Sequence, residues 1–370
     1  MVQMLDGASY DGRSAAVVRG LPGRYYTDPA IFEEEKQKIF FRTWQCLGHV
    51  AMLPEKGSFI VASVVDQEIA ILRGEDDIPR AFFNICRHRG HPLLEGRGVA
   101  RRIVCPYHAW TYDASGQLRN APHTAGIAGF DASTIRLKSV RLEIFMGLLF
   151  VNLDDNAPPV AVQFGAVEAE IRAIRPNLED QRLVFEYPMV HACNWKASVE
   201  GFSECYHCAP VHKYLVDNVV DPTTYVLTVE GPVQRHRLQS RDGTMSQVLW
   251  HLWPNLAIGF YPIPGVGSVL CTRHMYPRTV GESIYHYRWF ADPGMDVDAI
   301  VRYAQHHATT TGKEDAEVVI QVQRGMTSRG FDSSLLIANP AKGDSTEHAI
   351  AAFHVQVLSA LGHAPDGRMR

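Results

Sequence analysis

The thirteen residues EGFSECYHCAPVH, Glu200 to His212, hold two glutamates, two cysteines and two histidines. Two imidazoles and one carboxylate on one face of a metal form the set that binds non-haem Fe(II) and leaves adjacent positions open for O2 and a substrate. His207 and His212 are the candidate imidazoles. Five residues apart, they would stand about 140° apart on an unbroken helix. Pro210 is therefore expected to interrupt the helix and let His212 turn back. Glu204 lies three residues before His207 and shares its face, so it is one candidate for the carboxylate; Glu200 lies one turn earlier. The other candidate is Asp315, in TTTGKEDAEVVIQVQRGMTS. There Val318, Val319, Val322 and Met326 form an apolar helical stripe that reaches back to Asp315, with Glu314 and Glu317 nearer the polar side. A carboxylate on such a stripe is costly unless paired or metal-bound. The competing reading is a first-turn acid favoured by the helix dipole. Cys205 and Cys208 form a C-x-x-C pair without a second pair for zinc or a thioredoxin-like setting. They read best as small buried hydrophobes.

A second constellation lies earlier. CRHRGHPLLEG supplies Cys86-x-His88, and CPYHAW, sixteen residues on, supplies Cys105-x-x-His108. Each loop offers one thiolate and one imidazole at a turn-rich strand end. Tetrahedral zinc could use such a set. A zinc finger, however, expects a helix bearing two spaced histidines, and none is present. The spacing in a β setting favours a Rieske [2Fe-2S] cluster, with the cysteines on one iron and the histidines on the other. Tyr107 and Trp110 are placed to shield it, and burial tunes its potential. His91 falls outside both ligand pairs.

The elements that must position these residues can be outlined from periodicity. TDPAIFEEEKQKIFFRTW reads as a helix with Asp28 as N-cap and Pro29 at its first position. Residues 1–45 thus form an arm and a helix. Residues 46–153 alternate short β runs with Gly, Pro and Asp punctuation and form a small all-β domain. Residues 154–370 form the second large domain, beginning at a linker. In it, RLVFEYPMVHACNWKASV is a strand entering a helix near Trp195, residues 222–290 are β, and a helical C-terminal third follows. Strands and helices come in blocks, so the fold class is α+β.

The composition, 46% hydrophobic and 21% charged with a net charge of −4, is that of a globular protein and gives no sign of nucleic-acid or membrane-surface binding. No stretch approaches the roughly 20 apolar residues of a membrane span. Seven cysteines, an odd number in a long chain, argue against a secreted disulfide framework and for a cytoplasmic location. No G-x-G-x-x-G fingerprint for a nucleotide is seen.

Both constellations, in this order, resemble the α subunits of Rieske non-haem iron oxygenases, the aromatic-ring-hydroxylating family. The similarity rests on CRHRG, CPYHAWTY, NWK, ECYHCAPVH and EDAEVVIQVQRGMTS, and spans most of the chain. It implies an all-β Rieske domain followed by a helix-grip catalytic domain with an antiparallel sheet. It further implies Cys86, His88, Cys105 and His108 as cluster ligands and His207, His212 and Asp315 as ligands of a mononuclear iron. Glu204 then becomes an electron-transfer bridge between a mononuclear-site histidine and a cluster histidine, His108, of a neighbouring subunit in a homotrimer. O2 would be co-substrate. NAD(P)H would act through a separate flavin and iron–sulfur reductase, with or without a ferredoxin. Glutamate followed by C-Y-H-C is similar to the branch acting on glycine betaine, proline betaine, choline and carnitine, from which Gly201 departs where that branch commonly has asparagine. The expected reaction is monooxygenation, by N-demethylation or hydroxylation, of a small quaternary ammonium compound. Aromatic faces recognise such cations, and Phe202, Tyr206, Trp250, Trp253, Phe260 and Tyr261 are candidates, with Glu200 as a facing anion or a support for the site. The alternatives are a Rieske oxygenase of aromatic or other apolar carbon substrates, and a Rieske electron carrier or zinc protein without oxygenase chemistry.

Overall fold

The computed structural model describes residues 2–5, 10–343 and 346–364, in two compact units: residues 40–180, and residues 1–39 together with 181–370. The division falls at 40 and 180. The helix Val160–Ile174 therefore belongs with the first unit, where Glu143 accepts from the Val160 amide at 2.8 Å.

The unit of residues 40–180 is built on a seven-stranded antiparallel sheet. Its order is Gln45–His49, Leu148–Asn152, Ser139–Phe145, Pro79–Phe83, Gln67–Arg73, Ser58–Val64, Arg97–Val99. A three-stranded sheet, Arg102–Val104, Thr111–Asp113 and Leu118–Asn120, accompanies it. Cys86 and Cys105 pack in a core with Phe59, Leu72, Phe82, Ile103 and Tyr112. The Cys105 loop is the tip of a hairpin, since Val104 pairs with Thr111.

The second unit is built on another seven-stranded antiparallel sheet, of order Arg182–His191, Glu282–Ala291, Gly267–Thr279, Leu256–Ile263, Ser246–Leu252, Val233–Ser240, Val220–Glu230. The helices Trp195–Phe202 and Thr311–Met326 pack on each other, and the first also packs on the strands Gly267–Thr279 and Glu282–Ala291. The N-terminal helix starts as its sequence predicts: Asp28 accepts from the Ala30 amide at 2.9 Å and Pro29 is the first helical residue. It runs Pro29–Glu35 and continues in a π-helical turn to Phe40.

The C-terminal third is not wholly helical. Ser333–Ala338 is a strand pairing with Ala16–Pro22, a partnership more than three hundred residues apart that local periodicity does not encode. No described helix is long and apolar enough to cross a membrane.

Candidate active site and cluster loops

The helix Trp195–Phe202 leads into the ligand loop, and its start is fixed by a buried polar network. Asn194 caps it, accepting from the Lys196 amide at 3.1 Å, while the Asn194 amide donates to Gln323 Oε1 at 2.9 Å on the Asp315 helix. Lys196 Nζ donates to Glu35 Oε1 at 2.5 Å and to Asn194 Oδ1 at 2.7 Å, and Trp195 Nε1 donates to Glu35 Oε2 at 2.8 Å. Glu35 and Lys196 are both 0% exposed. Asn194, Trp195 and Lys196 thus tie the N-terminal helix, the ligand helix and the Asp315 helix together.

After Phe202 the chain turns through Glu204 to the short helix Cys208–Val211, then His212, then the helix Lys213–Asn218. Pro210 does not make the break. It sits in the first turn of the short helix, where its missing N–H costs nothing. The break is at His212, whose φ of −99° and ψ of 64° are non-helical. The outcome for the imidazoles is the one the chemistry needs. His207 Nε2 lies 3.1 Å from His212 Nε2, and Asp315 Oδ1 lies 2.9 Å from His212 Nε2 and 3.4 Å from His207 Nε2. Ligands about 2.1 Å from one metal at right angles are about 3.0 Å apart, so this triangle fits a single ion. Among the described residues these three are the one group of His, Cys, Asp and Glu close enough to share one.

The electrostatics agree with the geometry. Burial opposes the Asp315 charge, but His207 and His212 outweigh it and hold the carboxyl well below the usual carboxylate range. Burial likewise opposes charging of His207, yet Asp315 and Glu204 push it up to about 10. His212 is raised against the same burial by Asp315 and Glu314. A set that draws protons this strongly has excess negative potential, which a divalent cation would satisfy.

Both histidines are held from behind. Glu204 accepts from His207 Nδ1 in a very short contact and from the His207 amide at 3.0 Å, so Nε2 is turned towards the triad. Glu314 Oε2 lies 2.9 Å from His212 Nδ1. Carboxylates in this position fix the ring orientation and raise ligand basicity. The sequence reading placed Glu314 on the polar side. The available signal was its adjacency to Asp315, which lets a long side chain reach round to the same imidazole.

Cys205 and Cys208 are buried as expected, but they are bonded to each other as a disulfide across Tyr206 and His207. They are therefore not two independent hydrophobes. A reducing environment would open this bond.

A small cavity, about 70 Å³, opens beside the triad between the helices and the sheet. Of the aromatic residues expected there, Phe202 lines it. Tyr206 is 51% exposed. Trp250 packs edge-on to Phe260, and Trp253 packs on Trp195 and Phe353, all in the core. Tyr261 packs against Trp289 and His307. Glu200 accepts from Tyr26 Oη at 2.5 Å and lies 2.9 Å from His354 Nε2, away from the cavity lining. Through these contacts it supports the ligand helix. Aromatic content alone does not separate core aromatics from those that line the cavity, whether they lie on strands or, like Phe202, at a helix end. Tyr225, Gln247 and Arg273 line the cavity and were missed. Arg273 had a signal: a lone guanidinium inside the apolar strand SVLCTRHMYP. Gly201 also lines the cavity, and a Cβ there would stand 3.0 Å from Val319 Cγ1 on the Asp315 helix. The close crossing of the two helices explains a glycine at this position.

In the other unit the two cysteine loops close alike. The Gly90 amide donates to the Cys86 carbonyl and the Ala109 amide to the Cys105 carbonyl, each at 3.0 Å. The Cys86 amide donates to His91 and the Cys105 amide to Trp110, each at 2.8 Å. The fifth residue of each loop has a left-handed backbone, φ 73° at Gly90 and 54° at Ala109. His91 thus has a role as a loop closure. The thiols are buried, while His88 and His108 are exposed with ring centroids 4.7 Å apart. Trp110 stacks on His88 at 4.8 Å and Tyr107 covers His108 at 3.8 Å. Tyr112 Oη lies 3.3 Å from Cys86 Sγ. A dry thiolate side and an exposed imidazole side suit a cluster that releases electrons through histidine.

Comparison with known proteins accounts for both sites. The Rieske [2Fe-2S] domain family matches residues 43–131, and the ring hydroxylating alpha subunit catalytic domain matches residues 178–225 and 218–363. The carnitine monooxygenase oxygenase subunit of Escherichia coli K12 is 31% identical over 90% of this chain and 91% of its own. The glycine betaine monooxygenase oxygenase subunit of Pseudomonas aeruginosa UCBPP-PA14 is 32% identical over 55% of this chain and 48% of its own. The crystal structure of a quaternary ammonium Rieske monooxygenase in complex with L-carnitine is 28% identical, with a TM-score of 0.86 over 93% of this chain and 96% of that one. An electron carrier or zinc protein without oxygenase chemistry leaves the triad and the second match without explanation. The chain belongs to the Rieske non-haem iron oxygenases, as an oxidoreductase subunit with a [2Fe-2S] domain and a mononuclear-iron catalytic domain.

Proposed function

We propose that this protein is the terminal oxygenase that monooxygenates a small quaternary ammonium compound. The observation that carries the reading is the His207–His212–Asp315 triangle opening on a small cavity. The likeness to the E. coli carnitine monooxygenase oxygenase subunit across nine tenths of both chains supports the substrate class.

His207, His212 and Asp315 would hold the mononuclear iron, and Cys86, His88, Cys105 and His108 the cluster. Bound there, the iron supplies O2 activation and the cluster supplies electrons. The chain's own residues prepare the site. Glu204 and Glu314 accept from the two Nδ1 atoms and keep both Nε2 lone pairs towards the ion. Phe202 and Tyr225 offer aromatic faces to a cation, which cannot donate a hydrogen bond. Hydroxylation of an N-methyl group gives a hemiaminal, whose C–N bond breaks to release formaldehyde and the demethylated amine.

Glu204 has a second role in this reading, as the electron bridge between His207 and His108 of a neighbouring subunit in a homotrimer. The His108 ring is exposed, as such a contact requires. Electrons would come from NAD(P)H through a separate reductase.

The test is substrate-dependent O2 uptake, with a compatible reductase, across a panel of trimethylammonium compounds and aromatic acids. Uptake with formaldehyde release from a trimethylammonium compound is expected. Uptake with aromatic acids alone would overturn the substrate class.

A further inference from the structure

The face of the catalytic sheet that packs on the helix Val297–Thr309 carries three tyrosines in a row. Tyr187 lies on Arg182–His191, the edge strand, and pairs across the ladder with Tyr287 on Glu282–Ala291. Their rings stack at 4.6 Å and 12°. Tyr285, two residues along the same strand and so on the same face, stacks on Tyr287 at 4.9 Å and 27°. At one end the row reaches the active site. The Tyr285 hydroxyl is hydrogen-bonded to Arg273, which lines the cavity beside the triad. All three phenols feel the charge of Asp315. At the other end the Tyr187 ring is half-buried. The row therefore runs from the cavity wall to the rim of the sheet.

The three hydroxyls differ in the partner available to their protons. Tyr287 Oη is buried without a hydrogen-bond partner. Tyr285 Oη meets a guanidinium, which only donates. Tyr187 Oη lies 3.0 Å from Nδ1 of His307, a buried ring. Burial, and after it Arg273, lower His307 to about 3, so the imidazole is neutral. Its Nδ1 accepts from the hydroxyl when Nε2 carries the hydrogen. Burial also raises the Tyr187 phenol, so the proton stays on oxygen in the resting protein. A phenol that loses an electron becomes a strong acid, and then even a weak base takes its proton. Of the three, Tyr187 alone has that base in contact. Arg273 stands 5.3 Å over the Tyr287 ring and beside Tyr285, so positive charge is disfavoured on both.

We propose that Tyr187 and His307 form a redox-active pair, joined to the iron site by Tyr287 and Tyr285, that discharges the site when O2 is activated and no substrate takes the oxygen. In that event the Tyr187 Oη–H bond breaks. The electron passes along the stacked rings to the iron site and lowers its oxidation level by one, while the proton passes to His307 Nδ1. A neutral tyrosyl radical and an imidazolium remain. A one-electron reductant of the ascorbate class, meeting the half-buried ring at the rim, gives back the electron, and His307 returns the proton. The ligand histidines and the cavity residues are thereby spared oxidation. The inference rests on the triad holding the iron and is independent of the substrate class.

The test needs no substrate. Protein of measured iron content, with both centres reduced, is mixed with O2, frozen at intervals and observed by electron paramagnetic resonance, for wild type, Tyr187→Phe and His307→Gln. Phenylalanine keeps the stack and lacks the O–H. Glutamine keeps an acceptor for the hydroxyl but cannot take its proton. Wild type is expected to form a tyrosyl radical, identified by the narrowing of its signal in protein grown on ring-deuterated tyrosine and removed by ascorbate. Both variants should lose it at full iron content. Over repeated substrate-free cycles Tyr187→Phe should also accumulate oxidised His207, His212 or Phe202 sooner than wild type, read by peptide mass spectrometry. No tyrosine-derived radical in iron-loaded wild type, or an undiminished one in either variant, overturns the proposal. If Tyr187→Phe fails to load iron, Tyr287→Leu decides: loss of the radical upholds the relay, and an unchanged yield overturns it. Wild type that binds no iron at the triad fails differently, since it removes the metal reading and this proposal together.

Discussion

Replacing Lys196 by methionine should be among the most damaging single changes outside the metal ligands. Its ammonium is fully buried, 2.5 Å from Glu35 Oε1 and 2.7 Å from Asn194 Oδ1. Burial pushes the Glu35 carboxyl up and the Lys196 ammonium down, each opposed by the attraction of its partner. Methionine preserves the packing volume but leaves Glu35 with the Trp195 indole as its remaining donor in this network. Breaking a fully buried pair by removing one member costs about 3–5 kcal/mol, because the other charge stays desolvated. Adding Glu35→Gln removes that charge and keeps an acceptor for the indole, so the double variant should recover about 2–3 kcal/mol. Urea unfolding of the whole chain, followed by a midpoint shift at unchanged slope, gives both values. Iron content should fall with the single variant, since the network sets the start of the helix leading to His207. A single variant within about 1 kcal/mol of wild type, or a double variant as unstable as the single, would refute the reasoning.

Other expectations concern the site itself. Glu314→Ala should weaken iron binding about 10–100-fold by freeing the His212 ring, measured by chelator competition; unchanged affinity would remove Glu314 from the site. Glu204→Gln should keep both metal centres loaded yet greatly slow oxidation of the reduced cluster in stopped flow, and wild-type rates would exclude it as the bridge. Burial lowers His236 to about 3 and His251 to about 4. The unfolded chain therefore takes up their protons first as pH falls below the ordinary histidine value of about 6.5. Stability should be full above that pH and decline by about 1.4 kcal/mol per pH unit for each of the two down towards pH 4. His236→Gln should halve this contribution to the slope in denaturant titrations at pH 5–6.5, and an identical slope would show that His236 is not held neutral.

The metal residues were legible because metal chemistry restricts residue type and spacing. Cys86-x-His88 and Cys105-x-x-His108 leave few other uses, whereas the apolar stripe made Asp315 only one candidate beside Glu204, and the family resemblance chose between them. The cavity was not legible in the same way. Phe202, Trp250 and Phe260 look alike in sequence, and only the closed fold, with Phe202 at a helix end and the other two on strands, decides which of them meets empty space. Glu314, hydrogen-bonded to a ring 102 residues away, and the pairing of Ala16–Pro22 with Ser333–Ala338 depend on the closed fold. The helix break also moved, from Pro210 to His212, because proline is tolerated in a first turn.

The most direct test is a single turnover without reductase. Protein loaded with both iron centres and chemically reduced is mixed with 18O2 and a trimethylammonium carboxylate, and the product is analysed by mass spectrometry. The account predicts demethylated amine and formaldehyde in equal amounts, with one labelled oxygen in the formaldehyde when it is reduced to methanol by borohydride before it exchanges with water, and reoxidation of the cluster in the same reaction. Fully loaded protein that leaves the compound untouched, or that places both oxygen atoms in it, would contradict the account.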